Sequence, residues 1–100
     1  MRRVLTQGRR RRSGHLEVAW LSNDAGHPRL GLIVPRFQST AVARNRLRRR
    51  LIEIWRRELQ GKCGAVDVVV RARREAYETN FGALRSELLG WLGVVAPPGQ

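Results

Sequence analysis

The segment from Ser39 to Gly61 constrains the fold more than any other part of the chain. Ser39 or Thr40 can cap the amino-terminal end of a helix, and no proline or glycine interrupts the segment before Gly61. Apolar residues recur at helical spacing and form one narrow stripe, Ala43, Leu47, Leu51 and Ile54. The sequence therefore predicts a long helix that buries a single stripe and runs to Gln60, with Gly61 in the left-handed conformation just past its end.

Short apolar runs on either side of this helix predict β-strands. Residues 16–21 alternate with period two, residues 29–34 stop at Pro35, and the β-branched run 65–70 is typical of a central strand. Because residues 23–28 have the composition of a turn, we expect the first two strands to pair as antiparallel neighbours. The central strand should then pair with this hairpin.

Further helices are predicted at both ends of the chain. A short helix precedes the arginine run at residues 9–12, and Thr79 or Asn80 can cap a last helix. The apolar positions of that last helix are Phe81, Leu84, Leu88 and Trp91. The element order α-β-β-α-β-α predicts a single α+β domain over residues 1–92. The sequence also allows a third short strand near residues 36–38. Residues 93–100 are predicted to be a disordered tail.

The charge balance points to a polyanionic partner. Lysine and arginine total 20 against 8 acidic residues, which gives a formal net charge of +12. Genomic base composition can explain why Lys62 is the sole lysine, but it does not explain the net charge. Cys63 is the sole cysteine, so neither an intramolecular disulfide nor a cysteine-based metal cage is expected. No signal peptide or membrane-spanning segment is recognised, so we expect a cytoplasmic protein without a membrane partner.

The long helix carries an unusual number of arginines around its apolar stripe. Helical geometry places Arg44 and Arg48 on one flank of the stripe and Arg46 and Arg50 on the other. Asn45 and Arg49 point outward. A solvated helix stabilised by Arg49–Glu53 and Glu53–Arg57 pairs is the alternative, at roughly 0.2–0.5 kcal/mol per pair. However, residues 41–52 contain no acidic residue, and a cation in the first turn opposes the helix dipole by roughly 0.3–1 kcal/mol. We therefore favour contact with RNA.

These segments together resemble a known family. The runs RLGLIV at 29–34, AVARNRLRR at 41–49 and DVVVRAR at 67–73 are similar in order and spacing to the bacterial ribonuclease P protein. The core Arg44-Asn45-Arg46 with its basic continuation is the most distinctive motif. The resemblance covers residues 1–92, and it implies an α+β sandwich with a mixed sheet and a left-handed β-α-β crossover, contrary to the usual handedness.

The resemblance also implies a function. In that family a large RNA uses Mg²⁺ to cut the 5′ leader from precursor tRNA, and the protein binds both the catalytic RNA and the leader. It implies RNA contacts for Arg44, Asn45, Arg46, Arg48, Arg49 and Arg50. It implies a leader cleft with Arg36, Phe37, Leu5 and Ala19. Separately, the run Arg9, Arg10, Arg11 and Arg12 repels itself unless phosphate neutralises it, so further phosphate contacts are expected there.

Some positions depart from the family pattern. Aromatic residues expected in the leader cleft fall on Met1, Leu5 and Ala19, and a basic residue expected late in the motif falls on Ile52. Phe37 could supply an aromatic surface for the leader or could belong to the core.

Catalytic groups are not evident in the sequence. His15 and His27 are expected at the surface, and neither has a partner at ligand spacing; the carboxylates are scattered, and Cys63 has no activating base. We expect a subunit of the ribonuclease that does not cut RNA alone, no metal site on the protein, Mg²⁺ bound by the RNA, and no small-molecule substrate. The alternative is a non-catalytic RNA-binding protein such as a ribosomal one.

Overall fold

The computed structural model describes residues 2–95 and confirms the α+β class. Its elements are α1 (Arg2–Gln7), β1 (Arg9–Arg12), β2 (Leu16–Ser22), β3 (Arg29–Ile33), α2 (Ala41–Ile54), a π-helical turn (Trp55–Leu59), β4 (Val66–Ala72), a 3₁₀ turn (Arg74–Glu78) and α3 (Phe81–Val95). The additional strand is the arginine run at β1, and residues 36–38 form no strand. Since α3 ends at Val95, the predicted boundary at residue 92 falls inside its last turn. Met1 and the predicted tail beyond residue 95 lie outside the described residues.

The sheet is mixed and has the order β1-β2-β4-β3. Strand β2 pairs antiparallel with both β1 and β4, whereas β3 pairs parallel with β4. The prediction that residues 16–21 and 29–34 are antiparallel neighbours is therefore wrong, because β4 lies between them. Strand β4 buries Val68, Val69 and Val70 on its two faces, so a central position covers more apolar surface than an edge position would.

The main core lies between the sheet and the two long helices. The stripe of α2 buries Leu47, Leu51 and Ile54, as predicted, and α3 buries Leu84, Leu88 and Trp91. Thr40 caps α2, since its Oγ1 accepts a hydrogen bond from the Ala43 N–H at 3.1 Å. Asn80 caps α3 in the same way, with its Oδ1 accepting from the Ala83 N–H at 2.8 Å.

The carboxyl end of α2 differs from the prediction. The α-helix stops at Ile54 and widens into a π-helical turn, in which the Gln60 N–H donates to the Trp55 carbonyl at 2.8 Å. This turn places Trp55 and Leu59 in the core. Gly64, with φ of +76°, and not Gly61, supplies the left-handed residue that returns the chain to the sheet.

The other face of the sheet is only partly covered. Helix α1, predicted from the sequence, buries Val4 against Ala19 and Val69. A Cβ on Gly8 would lie 2.5 Å from the Val4 carbonyl oxygen, so only glycine permits the tight connection from α1 to β1. Because α1 is six residues long, it leaves the rest of this face open.

The β1–β2 turn is fastened to α3 by Glu87. The Glu87 carboxylate accepts hydrogen bonds from the Ser13 hydroxyl and from the His15 backbone N–H, and it contacts the His15 ring at Nδ1. His15 is therefore partly buried and paired with Glu87, and the expectation of a plain surface histidine is wrong. No helix among residues 2–95 is long and apolar enough to cross a membrane.

Candidate nucleic-acid interface

The arginines of α2 form the first basic surface. Within residues 2–95, no arginine between Arg44 and Arg50 forms an ion pair. Glu53 accepts from Arg56 at 3.0 Å and from Arg57 at 2.5 Å, so the Glu53–Arg57 pair is present, whereas the alternative Arg49–Glu53 pair is not. The positive charges of Arg44 to Arg50 are therefore not neutralised by the described part of the chain.

Two of these arginines hold neighbouring elements in place. The Arg44 Nε donates to the Val34 carbonyl at 2.7 Å, at the end of β3, and the Arg50 Nη1 donates to the Thr79 carbonyl at 3.1 Å, before α3. Arg46, Arg48 and Arg49 donate no hydrogen bond to any described residue. Their guanidinium donors remain available to phosphates, which they can contact in pairs.

A shallow depression runs along the outer side of α2. It has a volume of about 570 Å³ and is lined by Val42, Asn45, Arg46, Arg49, Arg50, Glu53 and Phe81. The structure thus brings together four of the six predicted contact residues at one surface. Ile52, where the family pattern has a basic residue, is exposed on the same helix.

A second basic surface is the cleft on the open face of the sheet. It has a volume of about 390 Å³, and its lining includes Leu5 and Ala19, which the structure brings together. Val69 and Ile33 extend the apolar floor, and Arg10, Arg12 and Arg71 surround it. No aromatic side chain among residues 2–95 lines it. We call this surface the open-face cleft.

The four arginines of β1 divide between two sides of the sheet. Arg10 and Arg12 lie opposite Ala19 and Glu17, so they share the open face. Arg11 approaches Gly90 of α3, and Arg9 lines a depression near Val94. Arg10 and Arg12 therefore share the open face, Arg9 lies toward the helical layer, and Arg11 borders the cleft while its guanidinium reaches α3.

Arg36 and Phe37 are separated from the open-face cleft. Phe37 and Gln38 adopt left-handed φ values of 48° and 69°, which turn the Phe37 ring edge-on to Tyr77 at a centroid distance of 6.4 Å. The Arg74 guanidinium lies over the Phe37 ring at 5.5 Å, and the Tyr77 hydroxyl donates to the Pro35 carbonyl at 2.5 Å. Phe37 thus packs beside the 3₁₀ turn, and of its two expected places, in the leader cleft or in the packed interior, the structure does not support the cleft.

The two acidic residues of the open face, Asp67 and Glu17, differ in the hydrogen bonds that their carboxylates accept. Asp67 accepts two hydrogen bonds from Arg29, at 2.6 and 2.8 Å, and one from Asn23 at 2.8 Å. The hydrogen bonds from Arg29 hold the pKa of Asp67 below its ordinary value. Glu17 accepts no hydrogen bond from any residue among 2–95, and its Oε1 is 3.6 Å from the Arg12 Nε.

Sequence reasoning missed five lining residues of this cleft, one of which is the buried Val18. Glu17, Ile33, Val69 and Arg71 line it together with the residues that were predicted. In β2 and β4 these positions are out of phase with the core positions such as Val18 and Val70, and that alternation was a usable signal. Among residues 2–95, no three His, Cys, Asp or Glu side chains are grouped closely enough to hold a metal ion.

Comparison with known proteins agrees with this architecture. Residues 1–95 match the Ribonuclease P family. The ribonuclease P protein component of Syntrophobacter fumaroxidans is 40% identical over 89 residues, covering 87% of this chain and 74% of the relative. The match spans 61% to 74% of the length of such curated relatives.

Solved structures of RNase P proteins also match this chain. The RNase P protein of Thermotoga maritima, solved in complex with 1-(4-fluorophenyl)-2-thiourea, has a TM-score of 0.80 and 30% identity, covering 89% of this chain and 87% of that one. The RNase P protein of Staphylococcus aureus, at 24% identity, has the same fold, with a TM-score of 0.85 and coverage of 95% of this chain and 89% of that one. This chain therefore belongs to the ribonuclease P protein family.

Proposed function

We propose that this chain is the protein subunit of a ribonuclease P ribonucleoprotein. It binds the catalytic RNA and the 5′ leader of precursor tRNA, and so assists the Mg²⁺-dependent endonucleolytic removal of the leader in the cytoplasm. The observation that carries the proposal is the set of α2 arginines without acidic partners, in a chain of this family. The alternative of a ribosomal protein is not favoured by the family membership.

The α2 surface is suited to a structured RNA. Arg46 and Arg49 are exposed, and Arg48 is half-buried beside them on the same helix. A helix with cations on its outer face and both flanks can contact phosphates of two RNA segments at once. We assign this surface to the catalytic RNA.

The open-face cleft is suited to a single strand. Its apolar floor can accept unstacked bases, while Arg10, Arg12 and Arg71 can follow the phosphates. Because the described residues place no aromatic ring in its lining, they offer no stacking on aromatic side chains there, which is worth roughly 1–3 kcal/mol per base in single-strand binders. Leader affinity must therefore come from the arginines, from hydrogen bonds and from packing of bases on the apolar floor.

We assign the chemical step to the RNA. Several carboxylates have basic partners: an arginine pairs with each of Glu53, Glu58, Glu75 and Asp67, and His15 pairs with Glu87. These carboxylates are therefore not arranged as a pair for metal-assisted phosphodiester cleavage. The residues present do not fit a Mg²⁺ site built by residues 2–95 alone. The protein then acts by binding and positioning its RNA partners.

Reconstitution with a bacterial ribonuclease P RNA tests the proposal. At low Mg²⁺, where RNA alone is slow, adding the protein should restore leader removal, and the protein without RNA should leave precursor tRNA intact. The triple variant Arg46→Ala/Arg48→Ala/Arg49→Ala should lose the stimulation, while Lys62→Ala, which removes an exposed charge elsewhere, should retain it. Cleavage by the RNA-free protein, or no stimulation of any bacterial catalytic RNA, would refute the proposed function.

A further inference from the structure

Glu17 is an anomaly in the open-face cleft. It is an acidic side chain in the lining of a surface that otherwise carries arginines, and its side chain is 39% exposed. Its register neighbours are Arg12 on β1 and Arg71 on β4, so the row Arg12–Glu17–Arg71 crosses the face. A carboxylate in this position repels the phosphates that the arginines attract.

The carboxylate of Glu17 has one long ion pair, with 3.6 Å between its Oε1 and the Arg12 Nε, and no hydrogen bond from the described residues. Neither oxygen accepts a hydrogen bond from a residue among 2–95, in contrast to Asp67 on the same face, which accepts three. Arg71 faces Glu17 directly across the β2–β4 ladder, yet it forms no ion pair within the described part of the chain. The acceptors of Glu17 and the donors of Arg71 are therefore both available to a ligand.

We propose that Glu17 and Arg71 form a guanine-selective subsite for one nucleotide of the bound single strand. Guanine is the standard base that presents adjacent N–H donors on two neighbouring atoms, N1 and the 2-amino group. Those donors match the two oxygens of a carboxylate, and the Arg71 guanidinium can donate to the guanine O6 beside them. Each of the other standard bases presents hydrogen-bond donors to a carboxylate from only one atom of its edge.

The surroundings of the pair suit a base and not a phosphate. Ala19, two residues along β2 from Glu17, has a small side chain next to Val69 on the cleft floor, so a flat ring can approach the strand. Leu5 and Ile33 supply apolar surface for the faces of the ring. In this chain, hydrogen bonding at the base edge replaces aromatic stacking as the source of affinity at this point in the cleft.

This subsite rests on the proposed function, because it needs the leader to lie in the cleft. The test uses the holoenzyme reconstituted with catalytic RNA and a series of precursor tRNAs. Each leader is all adenosine except for one guanosine, which is moved position by position, and binding is measured as Kd. At one position guanosine should tighten binding roughly tenfold, the size expected for a bidentate contact to a base. Inosine, which lacks the 2-amino group, should lose most of that gain.

Glu17→Gln separates base reading from a structural role. It keeps the size of the side chain but removes one acceptor and the charge. The guanosine leader should bind about tenfold more weakly, while the adenosine leader should bind as well as before or better, because a repulsive charge is gone. A structural role would weaken both leaders alike. Asp24→Asn removes the same charge from the exposed 23–28 turn and should leave the guanosine preference intact.

The failures are distinguishable. If the leader tightens binding relative to mature tRNA but no position prefers guanosine, or if Glu17→Gln retains the preference, the subsite is overturned and the proposed function stands. A base-independent leader contact, such as one from Glu17 to a ribose hydroxyl, also overturns the subsite and leaves the proposed function standing. If the leader adds no affinity at all, leader binding itself is wrong and the subsite falls with it.

Discussion

Arg44 and Arg46 lie two residues apart on α2 but have different roles. The Arg44 side chain donates to the carbonyl of Val34, a residue that is 3% exposed, whereas the exposed Arg46 donates to no described residue. Removing Arg44 would leave a poorly solvated carbonyl without its donor, and removing Arg46 would leave the fold unchanged. Stability and RNA affinity should therefore separate at these two positions.

Arg44→Ala should lower the free energy of unfolding by about 1–3 kcal/mol, the penalty for an unsatisfied buried acceptor. Arg46→Ala should change it by less than about 0.5 kcal/mol, as is usual for exposed positions. Arg46→Ala should instead weaken binding to catalytic RNA by about 1–3 kcal/mol, the strength of a charge-assisted hydrogen bond. Urea melts and RNA titrations of both variants check this, with Lys62→Ala as the charge control. Equal stability of the two variants would contradict the role given to Arg44.

Glu87 makes the fold sensitive to acid. Burial alone would raise the pKa of Glu87, but hydrogen bonds from Ser13 and His15 outweigh it and hold the pKa below its ordinary value of 4.5. A carboxyl with a lowered pKa stabilises the fold above its unfolded-state pKa, and this contribution is lost as the pH falls through the folded-state pKa. Between about pH 5 and pH 3, the parent should therefore lose more stability than Glu87→Gln does. Melts of the parent and of Glu87→Gln across this pH range give the stability of each and test this prediction. Glu78→Gln, at an exposed carboxylate without an ion pair among residues 2–95, should follow the parent.

At the scale of elements, apolar periodicity predicted α2, α3, β2, β3 and β4, because each buries a regular set of side chains. Strand β1 was missed since all its residues are exposed arginines and no alternation marks it. The strand order was missed because sequence adjacency favours a hairpin, whereas the buried character of β4 on both faces decides the arrangement. The π-helical turn left no pattern in the sequence that differs from an ordinary helix end.

The candidate site was predictable to a similar extent. Helical geometry located Arg44 to Arg50 around one stripe, and the structure places four of the six predicted contact residues at one depression. Strand alternation places Glu17 and Arg71 on the face opposite the core, but the sequence does not show that the short α1 leaves this face uncovered as a binding surface. The sequence did not decide between the two places considered for Phe37, because a left-handed backbone at a residue other than glycine is not visible in the sequence.

The stripe of α2 sets its orientation on the sheet. Leu47 is 2% exposed, and Val42, on the same helix, is 67% exposed. Leu47→Ala should lower the free energy of unfolding by about 2–5 kcal/mol through the cavity that it leaves. Val42→Ala should change it by less than about 0.5 kcal/mol. Chemical denaturation measures both, and the folded fraction of Leu47→Ala should bind RNA as tightly as the parent. A Leu47→Ala variant as stable as the parent would mean that the helix presents a different face to the core.

In the whole molecule, the sheet separates two basic surfaces. Helices α2 and α3 cover one face, where Arg46, Arg48 and Arg49 project from α2, and the open-face cleft occupies the other, with Arg12 and Arg71. One small domain can therefore hold the catalytic RNA on one side and the leader on the other. The charges on each side should control the binding of one partner only.

The salt dependence of RNA binding tests whether each basic surface binds one partner only. Each phosphate contact contributes roughly 0.7–0.9 to the slope of log affinity against log salt concentration, so replacing Arg46, Arg48 and Arg49 with Gln should reduce the slope for catalytic RNA by about 2–3 units. Replacing Arg12 and Arg71 with Gln should leave that slope unchanged. In the holoenzyme, the second variant should instead reduce the salt-dependent advantage of precursor over mature tRNA. If both variants lowered the slope for catalytic RNA equally, the RNA would contact both faces, and the assignment of the open face to the leader would fail.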